Sequence, residues 1–240
     1  MDIKPQIIVE NLQGYHNASA ETQDRLFRGK TYKDLSTICI VPTRGMISAK
    51  VTQSWMGMMM PMNQKFTRLF MIGMEVGEAY TNAINFILSN PDLSKWKYIL
   101  TLEEDNMPPQ DGLLKLYENI EDYAAIGGLY WTKGEGGQPM IYGDPNDSEF
   151  NFRPQMPTAE IQPCNGLGMG FTLFKMDIFK DSRLEMPWFK TLQEWDSSKG
   201  ARGYTQDLYF FEKIHKLGYK VACDTRVKVG HYDVDQDVVW

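Results

Sequence analysis

The sequence predicts an α/β protein: a Rossmann-like, mixed but mainly parallel sheet flanked by helices, folded as a single domain. Three observations carry this. The runs Ile38–Val41, Phe66–Ile72 and Tyr98–Leu102 read as strands, two of them short and apolar on both faces, as central parallel strands are. Helical stretches at Met46–Met62 and Val76–Leu88 alternate with them, giving β–α–β–α–β over residues 36–102, the pattern of a doubly wound sheet. The chain of 240 residues, 42% apolar and 23% charged, is long enough to bury one sizeable core.

Composition narrows the partners. A net charge of −6 argues against a broad nucleic-acid-binding surface. Cys39, Cys164 and Cys223 are scattered, without a CxxC pair or zinc spacing, as buried free thiols in a reducing compartment would be. No stretch is long and apolar enough for a membrane span, and Asp2, Lys4 and Pro5 stand where a signal peptide would be apolar. A cytoplasmic protein is expected.

Residues 1–35 form an N-terminal extension in which Ile7–Val9 is a candidate edge strand; residues 36–240 form the domain. The first confident strand ends at Pro42, and Thr43-Arg44-Gly45 makes the loop above the sheet. Arg44 is placed to meet a base or phosphate, although a lone loop arginine is more often solvated. The helix over Met46–Met62 is rich in methionine, which suits adaptable core or a partner surface. After the second strand, the helix Val76–Leu88 stops at Asn90-Pro91.

Tyr98–Leu102 then runs into Glu103, Glu104 and Asp105, and Pro108-Pro109 forbids continuation of the strand. Acids at the carboxyl end of a buried strand face the crevice where open α/β sheets bind ligands. Strand alternation places Glu103 and Asp105 on one side and Glu104 on the other. Two such carboxylates suit Mg²⁺ or Mn²⁺ holding a phosphate; alone, the triplet would pass for a solvated acidic turn.

Pro109–Ile120 reads as a helix with Leu113, Leu116 and Ile120 on one face, and Ala124–Tyr130 as a strand. Residues 131–158 are dense in Gly, Pro, Asn and Asp, and a functional, mobile loop is expected there, with a short strand at Pro139–Tyr142. In Cys164–Phe174, glycines 166, 168 and 170 leave room either for a ligand near the backbone or for a neighbouring segment. Thr205–Leu217 is an amphipathic helix with Leu208, Phe211, Ile214 and Leu217 at helical spacing, capped by Thr205 and closed by Gly218. Asp207 falls in its first turn, where the helix dipole favours the ionised form. Strands at Tyr219–Ala222 and Arg226–Val229 lead to Gly230-His231-Tyr232-Asp233.

In this order the segments resemble a GT-A-fold glycosyltransferase of the family 2 type, over about residues 36–233. Ile40-Val-Pro-Thr-Arg44 resembles the opening strand and its turn, and Leu102-Glu-Glu-Asp-Asn106 the DxD motif. Gly166–Phe174 resembles the glycine-rich acceptor-side strand. Thr205-Gln-Asp-Leu-Tyr-Phe210, with Val229-Gly-His231, resembles the Glu-Asp helix and terminal histidine.

The resemblance implies a metal-dependent transfer from a nucleotide-sugar, UDP-linked, to an acceptor hydroxyl, with inversion. Asp105 and Glu103, completed by His231, would hold Mn²⁺ or Mg²⁺ on the diphosphate. Pro42, Thr43, Arg44, Glu75 and Glu104 would line the donor, and Asp207 would be the general base. Residues 36–106 would form the nucleotide-sugar half and 107–240 the acceptor half, with the loop over 131–158 closing on the donor.

Three positions depart from the family's pattern. Glu103 stands for the first Asp of DxD, and Gln206 for the Glu of Glu-Asp. Met71-Ile-Gly-Met-Glu75 replaces an Asp-Asp-Gly-Ser turn, with Glu75 as the stand-in. A nucleotidyltransferase, a metal-dependent hydrolase or a non-catalytic nucleotide- or sugar-binding scaffold are the competing readings. The acceptor is open among a glycan, a protein or a modified nucleic acid.

Overall fold

A computed structural model of the chain describes residues 6–9, 33–197 and 200–240. Strand β1 is Gln6–Val9 and β2 is Thr37–Thr43, followed by α1 (Ala49–Met56), β3 (Phe66–Ile72) and α2 (Val76–Ser89). Next come β4 (Tyr98–Leu102), β5 (Asn106–Met107), α3 (Gly112–Asn119), β6 (Ala125–Leu129) and β7 (Ile141–Tyr142). The chain continues through β8 (Ile161–Cys164), β9 (Gly166–Leu167), β10 (Phe171–Lys175), and the hairpin of β11 (Leu192–Asp196) and β12 (Gly200–Tyr204). It closes with α4 (Gln206–Lys216), β13 (Val221–Lys228), β14 (Gly230–Asp233) and β15 (Val238–Val239).

Eight of these strands form one sheet in the order β1-β3-β2-β4-β10-β6-β13-β8. β2, β3, β4, β6 and β13 run one way, and β1, β10 and β8 run against them. Helices cover both faces, so the protein is a mixed α/β single domain with a large mixed sheet.

Alternation along the strands divides the core. Ile38, Ile40 and Ile99 meet Tyr80, Ile84 and Ile87 of α2 and Phe210, Phe211 and Ile214 of α4 on one face. Cys39, Val41, Leu100 and Leu102 meet Val51 and Trp55 of α1 and Leu113 and Leu116 of α3 on the other. All three cysteines are buried and free.

The expected edge strand is β1, antiparallel to β3; the remainder of the 1–35 extension lies outside the described residues up to Lys33. Several expectations change. β2 runs through Pro42 to Thr43, because the ladder to β4 has already ended at Ile40 while that to β3 continues. α1 is shorter than Met46–Met62: Ser48 caps its start and Gly57 its end. Met58 joins the core and Met60 packs half-buried against it, whereas Met46, Met56, Met59 and Met62 are exposed.

β13 is one strand with an irregularity between Asp224 and Lys228, rather than two. α4 is rotated from its expected face. It buries Asp207, Phe210, Phe211 and Ile214, with Phe210 stacked 4.4 Å from Phe189, and leaves Leu208 and Leu217 only half-buried. The 131–158 segment is tied back on itself, with Met140 N donating to Tyr130 O at 2.9 Å and a bridge between Trp131 and Pro139. Among the described residues no helix is long and apolar enough to cross a membrane.

Candidate functional site

The site forms where β4 stops. Asn106 N donates to Glu103 O at 3.0 Å, which turns the chain immediately after Leu102. The period of two therefore ends with the strand, and Glu103 and Asp105 do not form the shared pair that alternation predicts. β5 then pairs antiparallel with β14, matching Asn106 with His231 and Met107 with Gly230. That pairing, with Tyr232 N donating to Asp105 O at 2.7 Å, carries His231 across 126 positions of sequence to Asp105.

Each acid of the triplet meets its own partners. Glu104 turns to the end of β2, accepting from Thr43 Oγ1 at 2.7 Å, Arg44 N at 2.8 Å and Arg44 Nε at 2.5 Å. Asp105 turns to Lys133 and His231: its Oδ2 lies 2.6 Å from Lys133 Nζ and 3.4 Å from His231 Nε2. Burial would push the Asp105 carboxyl up, but hydrogen bonds from His231 and Lys133 outweigh it and hold the group down at about 2. Glu103 turns inward to α2, where Tyr80 Oη donates to its Oε1 at 3.2 Å. Burial first, then the charges of Asp105 and Asp207, push the Glu103 carboxyl up to about 8.

Asp207 sits in the first turn of α4 with Leu208 N donating to its Oδ1 at 2.9 Å, and only 5% of it is exposed. The helix dipole favours its charge, yet burial dominates and raises its pKa against the hydrogen bonds from Thr205 and Leu208. The charges of both Asp105 and Asp207 act on Glu103.

The glycine-rich strand serves close approach by protein, not by ligand. A Cβ on Gly168 would stand 2.0 Å from Tyr130 Oη, and one on Gly170 would stand 2.6 Å from the Asn106 amide. Tyr130 Oη in turn accepts from Gly170 N at 2.9 Å, fixing the floor beside Asp105.

Glu75 is occupied elsewhere: it caps α2 through Glu78 N at 2.9 Å and accepts from Thr191 Oγ1 at 2.8 Å. Pro42 is buried within β2, below Thr43 and Arg44. Lys133, Tyr80, Tyr130 and Asn106 were not singled out from sequence. For Lys133 a signal existed, a lysine opening the glycine-rich run Lys133-Gly-Glu-Gly-Gly137 just after a strand. The two tyrosines carried none, lying inside apolar helix and strand patterns.

His231 decides whether a metal suits this site. Its Nδ1 lies 2.8 Å from Trp131 O; a carbonyl only accepts, so Nδ1 carries the proton. Nε2 faces the Asp105 carboxylate at 3.4 Å, where it donates to the carboxylate when it carries a proton and offers a lone pair to a shared cation when it does not. A backbone carbonyl orienting a histidine in this way is the usual support of a metal-ligating imidazole. Asp105 and His231 thus fit a divalent cation, whereas Glu103, turned to Tyr80 and protonated near neutrality, does not. Among the described residues no group of three or more His, Cys, Asp or Glu side chains is arranged for a metal. Phosphate oxygens and water would have to complete the coordination, as Mg²⁺ commonly requires.

No family model and no curated protein matches this chain. Among solved structures it is similar to A197 from STIV, with a TM-score of 0.59 and 18% identity over 85% of this chain and 92% of that one. That likeness shows a shared fold. It is more distantly similar to S. aureus TarS 1–349, with a TM-score of 0.42 and 12% identity over 78% of this chain and 57% of that one. TarS 1–349 in complex with UDP-GlcNAc gives a TM-score of 0.42 and 10% identity over 78% and 55% of the two chains.

Proposed function

We propose that this chain is a GT-A-type glycosyltransferase that moves a sugar from a nucleoside-diphosphate donor, UDP-linked, to an acceptor hydroxyl with inversion. One observation carries the reading most. An ionised Asp105 faces an oriented His231 at the carboxyl ends of the parallel strands, and Glu103 couples that rim to a buried Asp207 with a raised pKa.

The roles follow from these environments. Thr43, Arg44 and Glu104 form a hydrogen-bonded corner above β2 that positions the nucleoside. Lys133 supplies a point charge for the diphosphate. A divalent cation, Mn²⁺ or Mg²⁺, bound by Asp105 and His231 would neutralise charge on the departing diphosphate. Asp207 accepts the acceptor's hydroxyl proton as the acceptor oxygen bonds to the anomeric carbon and the bond to the diphosphate breaks. Its raised pKa makes it a stronger base than an exposed aspartate. The acceptor is a hydroxyl of a glycan, a protein or a modified nucleic acid, since one carboxylate suffices to take the proton of any of them.

Purified protein screened by thermal shift against nucleoside diphosphates and their sugars, with Mn²⁺ and with chelator, tests the reading. Stabilisation by a nucleotide-sugar, followed by metal-stimulated donor hydrolysis, is expected. A panel in which no nucleoside diphosphate stabilises the fold would overturn it.

A further inference from the structure

The Asp105 Oδ2 atom has two claimants. Lys133 Nζ holds it at 2.6 Å, and His231 Nε2 reaches it at 3.4 Å from the position a metal would share. An ammonium and a divalent cation cannot sit together on one carboxylate oxygen without strong mutual repulsion. The lysine is carried by the turn of a small hairpin. Thr132 N donates to Gln138 O at 2.9 Å at its base, and Gly134 and Gly136 take φ of +98° and +77° at its tip. The base of the same hairpin orients His231, through Trp131 O, so metal ligand and lysine share one support. The lysine side chain is still about one-third exposed, at 32%, and can turn from Asp105 towards a ligand in the crevice.

We propose that Lys133 is a built-in cation that competes with the divalent metal for Asp105 and is drawn off by the donor's diphosphate, so that metal and nucleotide bind as a coupled pair. The inference rests on the glycosyltransferase reading above. In the free protein the ammonium neutralises Asp105 and keeps metal affinity low. A diphosphate offers Lys133 several anionic oxygens in place of one carboxylate oxygen. Once the lysine moves to phosphate, Asp105 Oδ2 is released to the metal, beside His231. Linkage then requires the nucleotide to tighten metal binding by the same factor as the metal tightens nucleotide binding.

Calorimetry on the whole chain tests this with three titrations: Mn²⁺ alone, UDP in chelator, and Mn²⁺ with saturating UDP. They are run on wild type, Lys133→Gln and Lys133→Arg, with circular dichroism to confirm the fold. In Lys133→Gln, Mn²⁺ alone should bind about 3- to 5-fold tighter, as expected for loss of a partly exposed ion pair. UDP in chelator should bind more weakly, and the tightening of Mn²⁺ by UDP should shrink. Lys133→Arg should keep the wild-type order. Equal Mn²⁺ affinity and equal coupling in wild type and Lys133→Gln, with UDP still binding, would overturn the inference while leaving the glycosyltransferase reading intact. Failure of UDP to bind any of the three proteins would overturn that reading, and the inference with it.

Discussion

Glu103 and Glu104 are neighbours in sequence, yet they belong to opposite kinds of region. Glu104 lies on the rim, with three donors from Thr43 and Arg44 on its two oxygens, and the Arg44 side chain beside it is 85% exposed. Glu103 lies on the floor, where Tyr80 is its hydrogen-bond donor and burial pushes its carboxyl up to about 8. Asp207 shares that floor, and Tyr80 and Tyr130 there are pushed well above their ordinary range by burial. The rim keeps its charges in hydrogen-bonded pairs with exposed partners, whereas burial on the floor favours the neutral forms of Glu103, Asp207 and both tyrosines.

The largest effect should come from the floor. Asp207→Asn keeps size and most hydrogen bonding but removes the charge of the proposed base. Transfer should fall on the order of 10²-fold or more, with melting temperature and donor binding near wild type. Steady-state kinetics showing near-normal turnover would remove Asp207 from the chemistry and with it the contrast between floor and rim.

The junction of the two regions can be broken sterically. Gly170→Ala would set a Cβ 2.6 Å from the fully buried Asn106 amide. Denaturant unfolding should register a loss of about 1–3 kcal/mol. An unchanged midpoint would mean that Asn106 can move, and that the floor is looser than its contacts indicate.

Glu103→Gln sharpens the comparison through pH. Its folded pKa, about 8, lies above the ordinary value of 4.5, so its contribution to stability is complete below about pH 4.5 and is lost as pH rises through 8. Asp105, held at about 2, works the opposite way: its contribution is present above 3.8 and is lost as pH falls towards 2, outside that window. Glutamine does not titrate. Between pH 5 and 8 the variant should therefore gain on wild type by roughly 3–4 kcal/mol. Parallel stability curves would show that Glu103 is solvated like any surface carboxylate.

The rim should respond least in stability. Arg44→Ala removes an exposed ion pair, and its unfolding free energy should stay within about 0.5 kcal/mol of wild type. Nucleotide affinity, read by calorimetry, should nevertheless weaken severalfold. A large loss of stability with unchanged affinity would reverse the roles of rim and floor.

Much of this protein was legible in the chain itself, because local periodicity and local punctuation are physical consequences of neighbouring residues. Ile38–Val41 and Tyr98–Leu102 declared buried strands, Asn90-Pro91 a helix end, and Thr205 with Gly218 the bounds of α4; each is a short-range matter of burial pattern, capping or backbone restriction. The placement of the Glu103–Asp105 turn at the end of β4 was likewise visible, since Pro108-Pro109 forbids a longer strand. The directions of those acids were not, because a single turn at Glu103–Asn106 cancels strand alternation and hands each carboxylate to a different, distant partner. Lys133 on Asp105, His231 brought in by the β5–β14 pairing, Tyr80 under Glu103 and the rotation of α4 onto Phe189 all join residues far apart in sequence. Even the balance at Asp207 was set this way. Its place in the helix's first turn favours the charged form, but the sheet and loops closed over it make desolvation the larger effect. Sequence determines what each segment can form, while burial depends on what the other segments bring against it.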